Sequence, residues 1–406
     1  MSLNVRRAII FVLVLAGIGA GTVLVIKFAQ GYRPEVNRKN LQLQATGLLV
    51  ATSDPVGAQV WVDGKLKTAT NNTFNLPPGE YNIEIKKDGF WPWKKQLELK
   101  KELVTQAEAD LFTAFPDLKG LTFTGAAEPK LSPDGQKIAY RVTGTSATNQ
   151  GIWVLDLADR PLGLNREARQ VLTNAAAEYR WAPDAKQLIV KLNKAVFLAD
   201  ANKLNTFENM PEITLTLASL ETQWQTEAKV KEEAKRAKLP EKLAEILQTS
   251  AREIVFAPDE TKVMYTAAAP ATIPEALRPP MPVASTQKQA RNLEKGKVYV
   301  YDLKEDRNFY VTEAREITPT PTKKTARVGP EKTERRVVWF PTSKHIFMVQ
   351  NDKISIGEYD GTNWLDVYTG PFVNSFAFPF PAGDRIVVLT SLGKETPTNL
   401  YAIGLK

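Results

Sequence analysis

The chain has 406 residues, of which 43% are hydrophobic and 24% charged, so it can form two or three domains with buried cores. It has no cysteine and a single histidine, His345. This excludes disulfides, thiolate metal sites and cysteine nucleophiles, and it argues against a histidine triad or a multi-histidine metal centre. The net charge of +8 is scattered along the chain, which fits a soluble surface or attraction to an anionic envelope; we predict no nucleic-acid partner.

An uncharged apolar run, residues 8–26, follows Arg6 and Arg7 and precedes Lys27. At about 1.5 Å per residue it spans roughly 28 Å, close to the thickness of a hydrocarbon core. A cleavable signal peptide has a shorter apolar stretch, of about 7–15 residues. We therefore predict an uncleaved, single-pass transmembrane anchor at residues 8–27. A signal cleaved near Gly19–Gly21 is the alternative.

Basic residues flank both ends of this anchor, so their distribution does not decide its orientation. The very short N-terminus favours a signal-anchor, with residues 1–7 in the cytoplasm and the bulk of the chain outside the cell membrane. Gly17 and Gly21 form a GxxxG spacing, which we interpret as tolerated small residues rather than a dimer seam. Residues 28–45 are predicted to be a polar stalk.

Residues 46–112 change to an alternation of apolar and polar side chains, which is typical of half-buried strands. Asp63-Gly64 is a strong hairpin signal. Pro77-Pro78-Gly79 forces a turn before a strand in which Ile83 and Ile85 share one face. The pattern predicts a small β-sandwich.

This region resembles the PEGA domain in the order and spacing of Pro55-Val56-Gly57-Ala58, Val60-Trp61-Val62-Asp63-Gly64, Leu76-Pro77-Pro78-Gly79-Glu80-Tyr81 and Lys87-Asp88-Gly89-Phe90. Val56 stands where the family's namesake string has glutamate, and the stretch before the Leu-Pro turn also departs from the family pattern. The resemblance implies an extracytoplasmic β-sandwich of the kind found on bacterial and archaeal surface proteins. It implies no enzymatic activity.

Three aromatic residues, Phe90, Trp91 and Trp93, stand close together in this region, with Pro92 among them. Aromatic rings can stack on the apolar faces of sugars, so these residues are the candidates for ligand stacking. The commoner role of such a group is packing in the core or against the next domain.

From about residue 128 a pattern of strand, turn, strand, loop and strand recurs five times. In the first three copies the turn contains Pro133-Asp134, Pro183-Asp184 or Pro258-Asp259. Proline presets φ in such a turn, and aspartate hydrogen-bonds its own backbone. Weaker copies follow near residues 337–360 and 374–405. Repeats of three or four strands at this interval predict propeller blades.

The first copy resembles the repeat of the TolB-like β-propeller in Ser132-Pro133-Asp134-Gly135, Ile138-Ala139-Tyr140 and Ile152-Trp153-Val154-Leu155-Asp156-Leu157. Later copies depart from that pattern, since Ala185 and Glu260 replace the glycine and Thr342 replaces an aspartate. The sequence predicts five or six blades, because the long interval between the second and third turns can hold a degenerate copy.

That interval contains residues 218–250, which are rich in the helix formers Ala, Glu, Lys and Leu. Pro240 suits a helical first turn. An apolar stripe is formed by Leu239, Leu243, Ile246 and Leu247. We predict two inserted helices, either a flap over their own propeller or an arm for a partner. Residues 269–295 and 318–336 combine proline, threonine and charge, and we expect them to be mobile loops.

The sequence contains no phosphate loop, nucleophile elbow or HExxH motif. Carboxylates recur at equivalent repeat positions, which indicates turn and capping roles rather than the paired acids of a glycosidase. They are Asp134, Asp156, Asp184, Asp259 and Asp302. His345 lies in a strand pattern and is expected to be structural. We predict no catalytic, cofactor-binding or metal-binding residues, and no cofactor.

Taken together, the sequence predicts an all-β protein with a single transmembrane helix, a PEGA-type sandwich at 46–112 and a propeller with a helical insertion at 113–406. The leading hypothesis is a non-enzymatic, membrane-anchored surface protein that binds cell-wall polysaccharide, other envelope polymers or surface proteins. A glycan hydrolase or lyase with carboxylates in the propeller channel is the alternative. A sensor is a third hypothesis, weakened by the short inner segment.

Overall fold

A computed structural model describes residues 3–29, 33–37, 40–143, 149–158, 168–279, 281, 285–314, 336–350, 352–393 and 396–406. The chain divides into two compact units. Unit 1 comprises Met1–Leu111 and Pro280–Lys288, and unit 2 comprises Phe112–Pro279 and Gln289–Lys406.

Unit 1 begins with helix α1 (Leu3–Ala29). Its stretch Ile9–Lys27 has 19 residues with a mean hydropathy of 2.8, and none of it is buried within the protein. A helix that is apolar on all sides and of this length can cross a bilayer. The segment predicted as a stalk contains an antiparallel pair, β1 (Arg33–Asn37) and β2 (Asn40–Gln44).

The rest of unit 1 is a sandwich of two sheets, with strand orders β6-β3-β9 and β5-β4-β7-β8. The strands are β3 (Gly47–Asp54), β4 (Gln59–Val62), β5 (Lys65–Ala69), β6 (Asn72–Leu76), β7 (Gly79–Lys86), β8 (Trp93–Leu99) and β9 (Val104–Asp110). Alternate residues of each sheet face inward and form one core, which includes Leu49, Val60, Ile83 and Leu97. The predicted alternation therefore becomes the packing of the domain.

Within its described residues, unit 2 is a β-propeller whose five larger antiparallel sheets we number as blades 1 to 5 in chain order. Its first strand, β10 (Leu118–Gly120), pairs with its last, so blade 5 joins both ends of the unit. Blade 1 is β11 (Ala127–Leu131), β12 (Lys137–Val142), β13 (Gly151–Asp156) and β14 (Arg169–Leu172); blade 2 is β15 (Glu178–Trp181), β16 (Gln187–Leu192) and β17 (Ala195–Asp200). Blade 3 is β18 (Ala251–Phe256), β19 (Lys262–Ala267), β22 (Lys297–Asp302) and β23 (Arg307–Glu313), with a separate pair, β20 (Ala271–Thr272) and β21 (Asn292–Leu293). Blade 4 is β24 (Arg336–Trp339), β25 (His345–Val349), β26 (Lys353–Glu358) and β27 (Leu365–Thr369); blade 5 is β28 (Ala377–Pro379), β29 (Arg385–Thr390), β30 (Asn399–Gly404) and β10.

Neighbouring blades pack face to face through shared apolar cores. Such cores join blade 1 to 2, 3 to 4, 4 to 5 and 5 to 1. Two junctions repeat one polar contact: the Trp181 indole N–H donates to the Lys130 carbonyl at 2.8 Å, and that of Trp339 donates to the Val255 carbonyl at 2.9 Å. These contacts give the ring order 2-1-5-4-3.

The helical insertion lies along the chain between blades 2 and 3, as α2 (Leu217–Arg236) and α3 (Glu241–Ser250). This confirms the two predicted helices. The first turns of α2, through Leu220 and Trp224, pack on blade 2, whereas Leu243 and Leu247 of α3 are buried on blade 3. Residues 225–234 of α2 are exposed on every side. The base of the insertion therefore covers the propeller while the rest of α2 projects from it.

The turn between the first two strands of each blade ends in a left-handed residue. The φ angles are 71° at Gly135, 56° at Ala185, 57° at Glu260, 60° at Ser343 and 72° at Gly383. Glycine adopts this conformation without steric cost, but the other three residues do not. The departures from glycine seen in the sequence therefore keep the turn and add local strain.

The sequence predicts a mobile loop at 269–295, but this segment contains two paired strands and buried residues. Its ends form β20 and β21, and Ile273 and Leu293 are buried in the core of blade 3. Part of its middle, Pro280–Lys288, belongs to unit 1. The segment 318–336 lies outside the described residues apart from Arg336, the first residue of β24.

Candidate binding site

The three aromatic residues singled out in the sequence do not share a surface. Trp93 is 4% exposed and belongs to the sandwich core, because it has the same strand phase as Leu97 and Leu99. Phe90 is half-buried and packs against that core. Trp91 is 41% exposed. The three residues therefore do not form one exposed surface, and Trp91 is the most exposed of them; ligand stacking at this group stays a prediction.

A different tryptophan, Trp61, lies on the outer face of the four-stranded sheet. In β4 the side chains of Val60 and Val62 point into the core, with exposures of 0% and 3%. Gln59 and Trp61 alternate with them and point outward. An aromatic residue thus lies on the solvent-facing side of an amphipathic strand.

Trp61 is part of a row that crosses all four strands. Its neighbour on β5 is Leu66, which is 55% exposed, and its neighbour on β7 is Glu84, which in turn faces Lys94 on β8. Gln59 and Lys86 face each other in the adjoining row. We call the surface formed by Gln59, Trp61, Leu66, Glu84, Lys86 and Lys94 the Trp61 face.

Charged groups hold the Trp61 face in a defined arrangement. The Lys86 ammonium lies 4.9 Å from the centroid of the Trp61 ring, and the indole N–H donates to Gln59 Oε1 at 3.2 Å. Glu84 pairs with Lys86 through one oxygen and with Lys94 through the other, at 3.0 Å. Hydrogen bonds from Lys86 and then Lys94 hold the pKa of Glu84 below its ordinary value. The carboxylate is therefore ionised at neutral pH and lies between two ammonium groups.

This chemistry suits a polyhydroxylated ligand. The indole ring offers an apolar surface for a sugar ring, and the amide, carboxylate and ammonium groups around it offer both hydrogen-bond donors and acceptors. The sequence contained the signal for this face, because Val60-Trp61-Val62 places the indole in the polar phase of its strand. The denser aromatic group at Phe90–Trp93 is the stronger signal in the sequence but is largely turned towards the core.

The carboxylates of the propeller have structural contacts. Asp134 Oδ1 accepts the Gln136 backbone N–H at 3.1 Å, and Asp184 Oδ1 accepts that of Lys186 at 2.9 Å. Asp259 accepts the Thr261 backbone N–H in the same way, and Asp302 accepts those of Lys304 and Glu305. Asp156 forms an ion pair with Arg169. These contacts are those of turn and strand-end residues.

His345 is 5% exposed, within hydrogen-bond distance of Thr342 Oγ1 at 3.2 Å and edge-on to the Phe112 ring at 5.3 Å. These are the surroundings of a structural histidine. Among the described residues, no group of three or more histidine, aspartate or glutamate side chains could hold a metal ion.

Comparison with known proteins identifies the first domain. Residues 46–113 match the PEGA domain family. No curated protein matches the chain in sequence.

Among solved structures, a protein assigned as TolB from Agrobacterium tumefaciens is similar at 12% identity and a TM-score of 0.20, over 68% of this chain and 70% of that one. TolB from Acinetobacter baumannii is similar at 13% identity and a TM-score of 0.21, over 88% of this chain and 63% of that one. The AfRom2 CNH domain is similar at 13% identity and a TM-score of 0.26, over 71% of this chain and 98% of that one. The propeller assignment rests on the sheet order described above. Residues 46–113 are a PEGA domain, and such a domain behind an apolar N-terminal helix fits a surface or periplasmic protein.

Proposed function

We propose that this is a non-enzymatic, membrane-anchored protein of the cell envelope that binds envelope polysaccharide through the Trp61 face. Helix α1 serves as a single-pass anchor, with residues 1–7 in the cytoplasm and the remaining domains outside. The observation that carries the binding role is the outward orientation of Trp61 among hydrogen-bonding side chains on an open sheet face.

A polysaccharide fits this face better than a protein partner does. The cores of protein interfaces are depleted in charged residues. On the Trp61 face, by contrast, Glu84, Lys86 and Lys94 surround the single aromatic side chain, and only Leu66 adds a further apolar group. A polymer of sugar rings can stack on the indole and exchange hydrogen bonds with the surrounding charged and amide groups.

The test is co-sedimentation of the full chain, in detergent micelles, with purified insoluble cell-wall material. We expect binding to persist at moderate salt, where attraction between exposed charges is screened. Trp61→Ala should weaken the apparent affinity about threefold to tenfold, the range expected for loss of one aromatic contact.

Trp91→Ala is the matched control, because Trp91 is exposed but lies outside the four strands of the face. It should leave binding unchanged. Equal binding by the wild-type protein and Trp61→Ala would sink the proposed role of this face, and loss of binding in Trp91→Ala alone would return the site to the aromatic group. Binding that vanishes at moderate salt would reduce the interaction to nonspecific charge attraction.

A further inference from the structure

Strand β8 lies at the edge of the four-stranded sheet, beyond β7. In an antiparallel sheet alternate residues direct both backbone groups to the same side. The contacts of Gln96 and Glu98 show which residues these are, because the Gln96 carbonyl accepts from Gln287 Nε2 at 2.8 Å and the Glu98 N–H donates to Thr286 Oγ1 at 3.2 Å. Lys94, Gln96 and Glu98 therefore direct their backbone groups away from β7 and towards the open edge.

The groups that occupy this edge come from a distant part of the chain. Thr286 and Gln287 belong to Pro280–Lys288, a segment of unit 1. In the chain this segment lies between β20 and β21, the separate strand pair of blade 3. They meet the edge through side chains, not through a strand ladder. An unpaired edge is otherwise a template for another strand. We call the described residues 285–288 the edge strap.

The sequence of β8 is complementary to itself in the antiparallel direction. With Gln96 opposite its own copy, Lys94 of one chain faces Glu98 of the other on the outer side of the sheet, and the pairing repeats by symmetry. Both side chains are accessible, at 58% and 50% exposure. Opposite charges directly across a strand pair are stabilising.

The same register satisfies the backbone. Gln96 and its copy would form a hydrogen-bonded pair, and so would Lys94 and Glu98 in both directions, because these are the residues whose N–H and C=O groups point outward. A twofold axis through the two Gln96 residues makes the interface isologous. On the inner side Lys95, whose ammonium lies 5.6 Å from the Trp93 ring centroid, would face Leu97 of the second copy. That contact would place a lysine opposite an apolar side chain, so we expect the pairing to be weak.

We propose that β8 is a self-recognition edge. It pairs antiparallel with β8 of a second copy of this chain, in the register centred on Gln96, and the edge strap covers it in the monomer. Confinement of both copies to one membrane supplies the local concentration that a weak pair needs. The pairing requires no ligand on the Trp61 face, although Lys94 belongs to both surfaces.

Disulfide trapping tests the register directly, since the chain has no cysteine of its own. The full chain carrying Gln96→Cys is placed in lipid vesicles and oxidised. Hydrogen-bonded residues across an antiparallel pair have Cα atoms about 5.5 Å apart, within disulfide range. Asn82→Cys is the matched control, because Asn82 faces Gln96 on β7 and lies one strand further from the axis. We expect at least fivefold more crosslinked dimer from Gln96→Cys, and equal crosslinking of the two would overturn the proposal.

Charge exchange tests the partner of Lys94. In the Gln96→Cys background, Glu98→Lys and Lys94→Glu each place like charges opposite one another, so each alone should crosslink weakly. The two variants reconstituted together should crosslink with each other as well as the parent does. Crosslinking that is indifferent to both charges would refute the register.

The strap is tested with Thr286→Val and Gln287→Ala, which remove its two hydrogen bonds to β8. Each bond corresponds to roughly a fivefold effect, so the double variant should raise the crosslinked fraction by about twenty-five-fold until it saturates. An unchanged or lower fraction would show that the strap does not compete for the edge. Thermal unfolding of each variant verifies that the sandwich remains folded.

Discussion

The helical insertion is built as a packed base with an exposed extension, and one substitution in each part tests this. Leu243 of α3 has no exposed surface and lies in the core of blade 3. Val230 of α2 is 60% exposed. Truncation of a buried leucine to alanine costs about 2–5 kcal/mol, whereas truncation of an exposed side chain changes stability by less than about 0.5 kcal/mol.

These energies convert into measurable melting shifts. For a unit of this size about 1 kcal/mol corresponds to roughly 2 °C, so Leu243→Ala should lower the melting temperature by about 4–10 °C. Val230→Ala should lower it by no more than about 1 °C. Differential scanning calorimetry of the full chain in detergent measures both. A shift below about 1 °C for Leu243→Ala would refute the packing of α3 on blade 3.

Three further substitutions test other parts of the fold. Ala185→Gly relieves a left-handed alanine in the turn of blade 2 and should stabilise the propeller by about 0.5–1 kcal/mol in calorimetry; destabilisation would contradict the turn geometry. Trp339→Phe leaves the Val255 carbonyl without its inter-blade donor and should cost about 1–3 kcal/mol, and no loss would argue against that blade junction. Glu84 has a lowered pKa, so its stabilising contribution is present above its ordinary pKa and is lost as the pH falls through the lowered value. The melting difference between the wild-type protein and Glu84→Gln should therefore shrink from pH 7 to pH 3, and a constant difference would exclude this linkage.

The architecture was accessible from sequence where the chain repeats a local rule. Period-two alternation identified the sandwich, the Pro-Asp turns identified the blades, and the Ala-, Glu- and Lys-rich interval identified the helices. These features depend on residues close together in the chain. The helices, rather than a sixth sheet, occupy the described part of the interval between blades 2 and 3.

Features that depend on distant residues could not be predicted in the same way. The pairing of β10 with β30 joins strands almost three hundred positions apart in the chain. The sequence Leu118–Gly120 contains no pattern that predicts which strand it pairs with. The contact of Thr286 and Gln287 with β8 is likewise absent from any local pattern. The burial of Trp93, by contrast, follows from a local pattern, because Trp93 and Leu97 lie on the same side of β8.

A paired sheet would present two copies of the Trp61 face on one surface. Trp61 lies on β4, two strands in from β8, so five strand spacings separate the two indoles across the sheet, or about 24 Å at roughly 4.8 Å each. The register also offsets the two rows by four residues, or about 14 Å along the strands, so the indoles lie about 28 Å apart. A polymer long enough to reach both faces would bind with the gain of an intramolecular second contact. Oligosaccharides too short to span that distance would not. In membranes we therefore expect affinity to rise steeply once the glycan exceeds this length, and Glu98→Lys should abolish the rise while leaving short-chain binding intact, because Glu98 is not part of the Trp61 face. A length dependence that survives Glu98→Lys would separate polymer binding from strand pairing.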